Sequence, residues 1–179
     1  MGPFDLAAVT SQVIAARQHE VDHRNLALHA ALGPAPAAGS PRLAGCLAVN
    51  LIDNARRHSL PGGQFHVTTE TRDSRAVLSV ANTGSAVPAG ALDQLFQPFQ
   101  RLAADRTTRA SASSLTIVQA IADAHGASIT ARPQPEGGLL VEVTFPDPGP
   151  QAVSPTHETW DSRAPQPKPP PRSQRTPAQ

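Results

Sequence analysis

The chain is poor in cysteine and in aromatic residues. Cys46 is its single cysteine, tyrosine is absent, and aromatic residues make up 3% of the 179 residues. One cysteine can form neither a disulfide within the chain nor a CxxC or zinc-type ligand set. The sequence therefore excludes a disulfide scaffold and predicts a reducing, cytoplasmic setting.

The chain also lacks an excess of charge of one sign. Its 15 Lys and Arg residues nearly balance its 14 Asp and Glu residues, which gives a net charge of +1. Nucleic-acid binding usually needs a concentrated basic surface, so we expect no nucleic-acid partner. No run of residues approaches the length that spans a bilayer, and residues 1–20 lack the apolar core of a signal peptide. We therefore expect no membrane segment in this chain.

Proline is unevenly distributed. Residues 147–179 hold nine of the 19 prolines and almost no aliphatic side chains. Such a segment buries too little apolar surface to offset the entropy of ordering it. We therefore expect a folded domain over residues 1–146 and a disordered Pro-rich tail over residues 147–179. The run "PKPPPR" at 167–172 could bind an aromatic groove as polyproline II, but a solvated tail is the simpler interpretation.

Helix and strand signals alternate along residues 1–146. Asp5 is a candidate N-cap for a first amphipathic helix. The run "LALHAAL" predicts a short strand, and "GPAPAAG" after it predicts a loop. Ser40, followed by Pro41, is placed to cap a second helix.

The sequence of the second half of the domain predicts two hairpins separated by helical segments. Strand patterns at 64–71 and 75–82 form one hairpin, and patterns at 127–133 and 139–145 form the other. Between them lie a short helix near "ALDQLF" and a longer one that Gly126 would end. Hairpins mixed with helices predict an α+β fold, a two-layer sandwich with helices on one face of a mostly antiparallel sheet.

Two asparagines continue the apolar stripe of the second helix. Carboxamides on a buried face are costly unless something bonds them. Their carbonyl oxygens suit Mg²⁺, which also takes waters and phosphate oxygens as ligands. Asn50 and Asn54 are therefore candidate metal ligands, and hydrogen bonding to neighbouring backbone is the alternative. Members of the stripe lie three or four residues apart: Leu43, Leu47, Asn50, Leu51 and Asn54.

Arg57 and His58 come one turn later, at the mouth of the same helical face. Arg57 could reach a phosphate, and His58 could lie against a base or bond its polar edge. The alternative is that both side chains are solvated.

The stretch "TTRASASSLTIVQAIADAHG", residues 107–126, leads from small polar residues into a helix. Ser113 or Ser114 is a candidate N-cap. The unpaired amides of Leu115, Thr116 and Ile117 would then face a phosphate at the helix start. Phosphate loops are usually rich in glycine, however, and this stretch has none before its helix.

The series "NLIDNARRHS", "NTGSAVP", "LFQPF", "LTIVQAIADAHG" and "EGG" resembles the ATP-binding catalytic domain of two-component sensor histidine kinases. That family is a branch of the Bergerat-type ATPases, which include gyrase, mismatch-repair and chaperone ATPases. The resemblance covers roughly residues 4–146. It implies that the chain binds ATP and Mg²⁺ and supports phosphoryl transfer in signal transduction.

The resemblance also implies roles for individual residues. The position of Asn54 holds Mg²⁺ in the family and that of Asn50 assists, while Arg57 and His58 match positions that contact phosphate and adenine. Asn82 stands where an aspartate normally accepts a hydrogen bond from the adenine amino group. An amide oxygen can still accept that bond, though without charge assistance.

The glycine boxes depart further from the family pattern. Gly84 matches a family glycine, whereas Ala86 stands where a second is usual. Ala112 and Ser114 replace the two glycines of the second box, which costs on the order of 1 kcal/mol at any position that needs a positive φ. Gly137 and Gly138 of the last box are kept, but Leu139 stands where a threonine is common.

The box "LFQPFQR" resembles the anchor of the family's ATP lid. Phe96 and Phe99 would pack beneath the lid, and Arg101 is placed to approach phosphate.

The phosphoacceptor histidine of the family is missing from this chain. The nearest imitation, "HEVDHRN", has Arg24 where a proline is expected, so we interpret His19 and His23 as surface residues. A kinase of this kind needs a histidine-containing dimerisation domain, in trans or in a longer parent chain, and a response regulator indirectly.

Two other functions are considered. The first is a degenerate module that senses nucleotide or docks a protein without catalysis. The second, ATP hydrolysis, is disfavoured because the asparagine-box helix lacks the glutamate general base of those relatives.

Overall fold

The computed structural model describes residues 2–23, 25–88, 90, 92 and 106–149, of which 106–114 are described as backbone. In chain order the elements are β1 (Gly2–Asp5), α1 (Leu6–His23), β2 (Ala27–Leu32), β3 (Pro36–Gly39), α2 (Pro41–His58), β4 (Gln64–Arg72), β5 (Arg75–Asn82), α3 (Arg106–His125), β6 (Ser128–Pro133) and β7 (Leu139–Thr144). The tail from residue 150 onward, and most of the helix expected near "ALDQLF", lie outside the described residues.

A five-stranded mixed sheet carries the fold. Its order is β2-β4-β5-β7-β6, in which β2 and β4 are parallel and every other pair is antiparallel. Both predicted hairpins are present. Asp73 and Ser74 turn the first one with φ of 50° and 61°, the left-handed conformation that a two-residue hairpin turn requires. The predicted α+β sandwich is therefore confirmed.

A second, two-stranded sheet was not predicted. β1 pairs antiparallel with β3, and Gly2 lies opposite Gly39. β3 falls inside the segment that was expected to be a loop. Its sequence "PAAG" has no strand propensity, so the strand exists because its distant partner β1 pairs with it.

The first helix begins as predicted. A single carboxylate oxygen, Asp5 Oδ1, accepts hydrogen bonds from the backbone N–H of Ala7 and of Ala35, both at 3.0 Å. Asp5 therefore caps α1 and ties it to the segment that leads into β3.

The second and third helices are joined at their ends. The Ser40 side chain accepts from Leu43 N–H at 3.4 Å and caps α2. The backbone N–H of Ser40 donates in turn to Nε2 of His125 at 3.1 Å. Because Nε2 accepts, the proton of this ring lies on Nδ1, which donates to the Ile121 carbonyl at 2.8 Å.

Gly126 ends α3, as predicted. It has φ of +64° and donates to the Asp123 carbonyl, while the next amide, Ala127, donates to the Ala122 carbonyl. These two bonds form a Schellman motif.

The core lies between the helices and one face of the sheet. Its largest fully buried side chains include Leu6 of α1, Leu47 of α2, Phe65 of β4 and Leu115 of α3. Leu43 does not join it and is 38% exposed. The buried face of α2 begins at Ala44, and Leu43 lies at the margin of that face, so this part of the predicted stripe is wrong.

Candidate nucleotide-binding site

Three parts of the chain meet at one end of the five-stranded sheet. An isolated antiparallel bridge joins Ser59, just after α2, to Gly84, just after β5. The turn between β6 and β7 reaches the same place, where Gly138 N–H donates to the Ser85 carbonyl at 3.0 Å. The predicted asparagine box, first glycine box and last glycine box are therefore brought together.

Asn50 and Asn54 lie one turn apart on α2 but in different surroundings. Asn54 is 5% exposed and belongs to the buried face of α2, whereas Asn50 is half-buried. Asn50 Nδ2 donates to the Cys46 carbonyl at 2.7 Å. The backbone bond considered as an alternative therefore exists at Asn50. It uses the amide nitrogen and leaves Oδ1 as an acceptor.

The donor set at this position suits a hard cation. Among the side chains that the structure describes, no group of three or more His, Cys, Asp or Glu residues could hold a metal ion. The candidate ligands on α2 are the carboxamide oxygens of Asn50 and Asn54. Mg²⁺ accepts such a sparse set because it keeps waters and takes phosphate oxygens. Asn50 and Asn54 therefore fit Mg²⁺ better than a softer metal.

Arg57 and His58 end α2. Arg57 is half-buried, and His58 retains contact with solvent. Partial burial, and to a smaller extent the charge of Arg57, lower the pKa of His58 from its ordinary value of 6.5. The lowered pKa favours the uncharged form of the His58 ring, which lies next to the fixed cation of Arg57.

Asn82 is the last residue of β5 and is 4% exposed. Its Nδ2 donates to the Thr83 carbonyl at 3.1 Å. The side-chain oxygen is thereby left as the acceptor, which is the atom that would receive a hydrogen bond from a base amino group.

Backbone segments approach closely around Gly84. A Cβ atom on Gly84 would lie 2.6 Å from the His58 carbonyl oxygen. Gly137 and Gly138 have φ of +93° and +98°, and a Cβ on either would overlap the carbonyl oxygen of Gly84 or Asn82, respectively. Only glycine fits these positions, so the retained glycines are explained by the packing of the site itself.

The third helix begins earlier than predicted. α3 spans Arg106–His125, so Ala112 and Ser114 lie within it and not before it. The N-cap expected at Ser113 or Ser114 is therefore wrong. Ala and Ser are more favourable in a helix than glycine by roughly 0.5–1 kcal/mol, and without glycine nothing at these positions stops the helix.

Leu115 and Thr116 also lie inside α3, where Leu115 is 1% exposed and Thr116 is half-buried. Amides in a helix interior are bonded to carbonyls four residues earlier and do not face a ligand. Nucleotide contacts remain a prediction for Ser114, Leu115 and Thr116. The unpaired amides on which that prediction was based are not present at these positions. Phe96, Phe99 and Arg101 lie outside the described residues.

Two further residues of this region were missed by sequence reasoning. Thr83 Oγ1 donates to the Gln64 carbonyl at 3.0 Å and accepts from its N–H at 2.9 Å, which fixes the backbone after Asn82. Ser59 pairs with Gly84 through backbone alone. Neither contact leaves a signal in the sequence, because each joins segments that are distant along the chain.

Comparison with known proteins decides the family. Residues 41–149 match the family described as "Histidine kinase-, DNA gyrase B-, and HSP90-like ATPase", a span that runs from α2 past β7 and exceeds half of the chain. The chain belongs to this family. The resemblance predicted from its sequence boxes is thereby confirmed.

Two curated relatives of the chain are named sensor proteins. Sensor protein CutS of Streptomyces coelicolor is 37% identical over 147 residues, which are 80% of this chain and 36% of CutS. Sensor protein CreC of Escherichia coli is 28% identical over 139 residues, 78% of this chain and 29% of CreC. The chain thus spans about a third of the length of these two relatives.

Solved structures agree on the fold of this ATPase domain. The catalytic domain of histidine kinase ThkA superposes with a TM-score of 0.72 at 20% identity, covering 81% of this chain and 94% of that one. A mycobacterial sensor histidine kinase, MprB, gives 0.71 at 22% identity, covering 80% and 97%. Together with the family match, these relatives identify the ATP-binding catalytic domain of the sensor histidine kinase type. No helix among the described residues is both long and apolar enough to cross a membrane.

Proposed function

We propose that this domain binds Mg-ATP and passes the γ-phosphoryl group to a histidine on a separate domain or chain. The observation that carries the proposal is the bridge between Ser59, which follows α2, and Gly84, which follows β5. This bridge joins the end of the helix that bears Asn54 to the end of the strand that bears Asn82. Asn54 and Asn82 are buried carboxamides on these two elements, and each side chain carries an oxygen of the kind that accepts a hydrogen bond or binds a hard cation. In the proposal a cation uses the oxygen of Asn54 and the base amino group that of Asn82.

Each residue has a distinct part in this proposal. Asn82 Oδ1 accepts from the adenine amino group, and the neutral ring of His58 lies against the base. Arg57 contacts the phosphates as a fixed cation. Asn50 and Asn54 hold Mg²⁺ through their side-chain oxygens, and Arg101 approaches the phosphates from the lid. When bound, Mg²⁺ neutralises charge on the phosphate oxygens.

Support for nucleotide binding also comes from one relative. Full-length ShkA, solved in complex with AMPPNP, superposes with a TM-score of 0.69 over 81% of this chain at 20% identity. We extend nucleotide binding from that protein to this one because the two share the fold and this chain belongs to the ATPase family. On the same grounds we propose that the direct partner is a histidine-containing dimerisation domain and that a response regulator is an indirect partner. We also propose a cytoplasmic location.

A second candidate function is a non-catalytic module that senses nucleotide or docks another protein. One observation favours it: α3 runs without interruption through Ala112 and Ser114, where the family pattern has glycines. Phosphoryl transfer depends on accurate positioning of the phosphate groups. A helix in place of the glycine-rich end of the lid should therefore lower the rate of transfer more than it lowers the stability of the fold.

Titration calorimetry with Mg-ATP separates the two functions. The purified chain is compared with Asn54→Ala, and Gln12→Ala on the exposed side of α1 serves as the control. The proposal expects saturable binding by wild type and Gln12→Ala, with at least tenfold weaker binding by Asn54→Ala. Equal, negligible binding by all three proteins would overturn ATP binding and favour docking. Transfer is then measured with radiolabelled ATP and any histidine hairpin encoded beside this chain.

A further inference from the structure

The last turn of α1 carries a histidine pair that the nucleotide site does not use. His19 and His23 lie four residues apart in the segment "HEVDH", and both are exposed. Their ring centroids are 6.4 Å apart and their planes are inclined by 59°. Residues four apart lie on one helical face, so both imidazoles are presented to the same volume of solvent.

The order of residues matches the H-E-x-x-H pattern of zinc peptidases, but the chemistry does not. In that pattern the glutamate acts as a general base beside the metal. Here the Glu20 carboxylate is held by two guanidinium groups, Arg17 at 3.1 Å and Arg56 at 3.1 Å. Glu20 is thus part of the contact between α1 and α2. These ion pairs give Glu20 a structural contact in place of the general-base position of that pattern, so the inference concerns the pair of rings alone.

A second histidine pair provides a comparison within the same chain. His29 of β2 and His66 of β4 stack with centroids 4.8 Å apart and planes inclined by only 18°. A metal ion bonded to imidazole lies in the plane of the ring, about 2.0–2.1 Å from the nitrogen for zinc. His29 and His66, whose ring planes are nearly parallel, would have to unstack before they could share an ion. The rings of His19 and His23 are not stacked, and because both side chains are exposed, rotation about their side-chain bonds would bring one nitrogen of each to a common ion. The ring arrangement therefore favours the pair on α1.

We propose that His19 and His23 together bind a divalent transition metal cation, with water in the remaining coordination positions. Imidazole suits Cu²⁺, Ni²⁺ and Zn²⁺, and affinity should follow the order in which Cu²⁺ binds most tightly. The site differs from the proposed Mg²⁺ position on α2 both in place and in ligand type. Its existence does not depend on nucleotide binding.

Two consequences follow from the position of the pair at a helix end. An ion shared by residues four apart closes a ring around the last turn of α1, so binding stabilises that turn against fraying. Because the ion binds the folded helix and has no preformed site in the unfolded chain, it raises the melting temperature of the domain.

The test uses the full chain, free of any affinity tag, titrated by calorimetry with Cu²⁺ and separately with Ni²⁺. We expect one ion per chain, bound more tightly for Cu²⁺ than for Ni²⁺. His19→Gln and His23→Gln should each weaken binding by roughly tenfold or more, because each leaves one anchor of a chelate. His29→Gln and His66→Gln should bind as the wild type does, as should Glu20→Gln, which tests whether the carboxylate is a ligand.

Melting curves with and without Ni²⁺ provide a second readout. The wild-type chain should melt at a higher temperature with Ni²⁺, and the double variant His19→Gln with His23→Gln should show no shift. Binding retained in that double variant would overturn the proposal. So would a loss of binding in His29→Gln, His66→Gln or Glu20→Gln. All the substituted side chains are wholly or partly exposed, and the melt without metal verifies that each variant folds.

Discussion

Nε2 of His125, at the end of α3, accepts the backbone N–H of Ser40, the residue that caps α2, at 3.1 Å. The two residues are 85 positions apart, yet one hydrogen bond fixes the start of one helix against the end of another. The ring is 7% exposed and meets Phe145 edge-on, with centroids 5.4 Å apart. It therefore serves as a polar link within an apolar layer.

Replacing His125 with alanine should lower the free energy of unfolding by about 2–4 kcal/mol. The change leaves a buried cavity and removes the partner of the Ser40 amide. Urea denaturation measures the effect, with the exposed His66→Ala as the control that should stay within about 0.5 kcal/mol of wild type. Equal stabilities of the two variants would contradict a linking role for His125.

Gly138→Ala should destabilise the domain more than Gly62→Ala. Both positions have a positive φ, +98° and +72°, so both incur the strain of about 1 kcal/mol that a Cβ brings. Only at Gly138 would the added Cβ also overlap a carbonyl oxygen, that of Asn82. We expect a further loss of about 1–3 kcal/mol there. Similar midpoints for the two variants in urea would show that the β6–β7 turn can move away from Asn82.

Asp5→Ala should cost about 1–2 kcal/mol, because one oxygen of Asp5 satisfies two backbone amides. Asp5→Asn keeps an acceptor oxygen and should recover most of the loss. Thermal melts of the three proteins measure both changes. A variant Asp5→Asn as unstable as Asp5→Ala would mean that the charge, not the hydrogen bonds, stabilises the start of α1.

The ion pair on the outer face of the sheet should give a pH-dependent stability. Arg72 donates to Glu142 at 2.8 Å, and this hydrogen bond is the main cause that lowers the pKa of Glu142 below its ordinary value of 4.5. A carboxyl whose pKa is lower in the folded protein than in the unfolded chain stabilises the fold at pH values above its unfolded-state pKa. This contribution is lost as the pH falls through the folded-state pKa.

Glu142→Gln should therefore be less stable than wild type at pH 7 and equal to it in strong acid. Because the Arg72 side chain is half exposed and solvent screens the pair, the difference at pH 7 should be only a few tenths of a kcal/mol. A double-mutant cycle with Arg72→Ala measures the pair directly. A coupling free energy that does not change between pH 7 and pH 3 would contradict the assignment.

Restoring glycine at two positions of α3 should tighten nucleotide binding. Ala112→Gly with Ser114→Gly lowers helix propensity at these positions and removes both Cβ atoms, which we expect to let the backbone approach a phosphate more closely. The matched control is Ala120→Gly with Ala124→Gly, two exposed positions of the same helix. Calorimetry with Mg-ATP should show tighter binding for the first pair only. Unchanged affinity would mean that the lost glycines do not limit binding.

Local signals in the sequence were sufficient to predict much of this fold. Asp5, Ser40 and Gly126 act at the helix ends where they stand, because a cap depends on backbone groups two or three residues away. The hairpin at Asp73 and Ser74 follows from two strand patterns separated by polar residues. The buried position of Asn54 could also be predicted, because Asn54 lies three residues after Leu51 and seven after Leu47 on one face of the helix.

Features that depend on distant partners could not be predicted. β3 has no strand propensity of its own, and the bond from Ser40 to His125 joins residues that no local pattern relates. The start of α3 was missed for a different reason. A family pattern placed a loop at residues 112–114, but these residues include no glycine to interrupt a helix, and in the structure α3 runs through them.

The uninterrupted path of α3 links nucleotide affinity to a conformational equilibrium. A ligand that needs residues 112–114 as loop binds only the fraction of molecules in which those turns are unwound, and its apparent Kd is raised by the inverse of that fraction. Every 1.4 kcal/mol of helix stability then weakens binding about tenfold. Substitutions on the outer surface of α3, far from any phosphate, would thus tune how much ATP the domain holds.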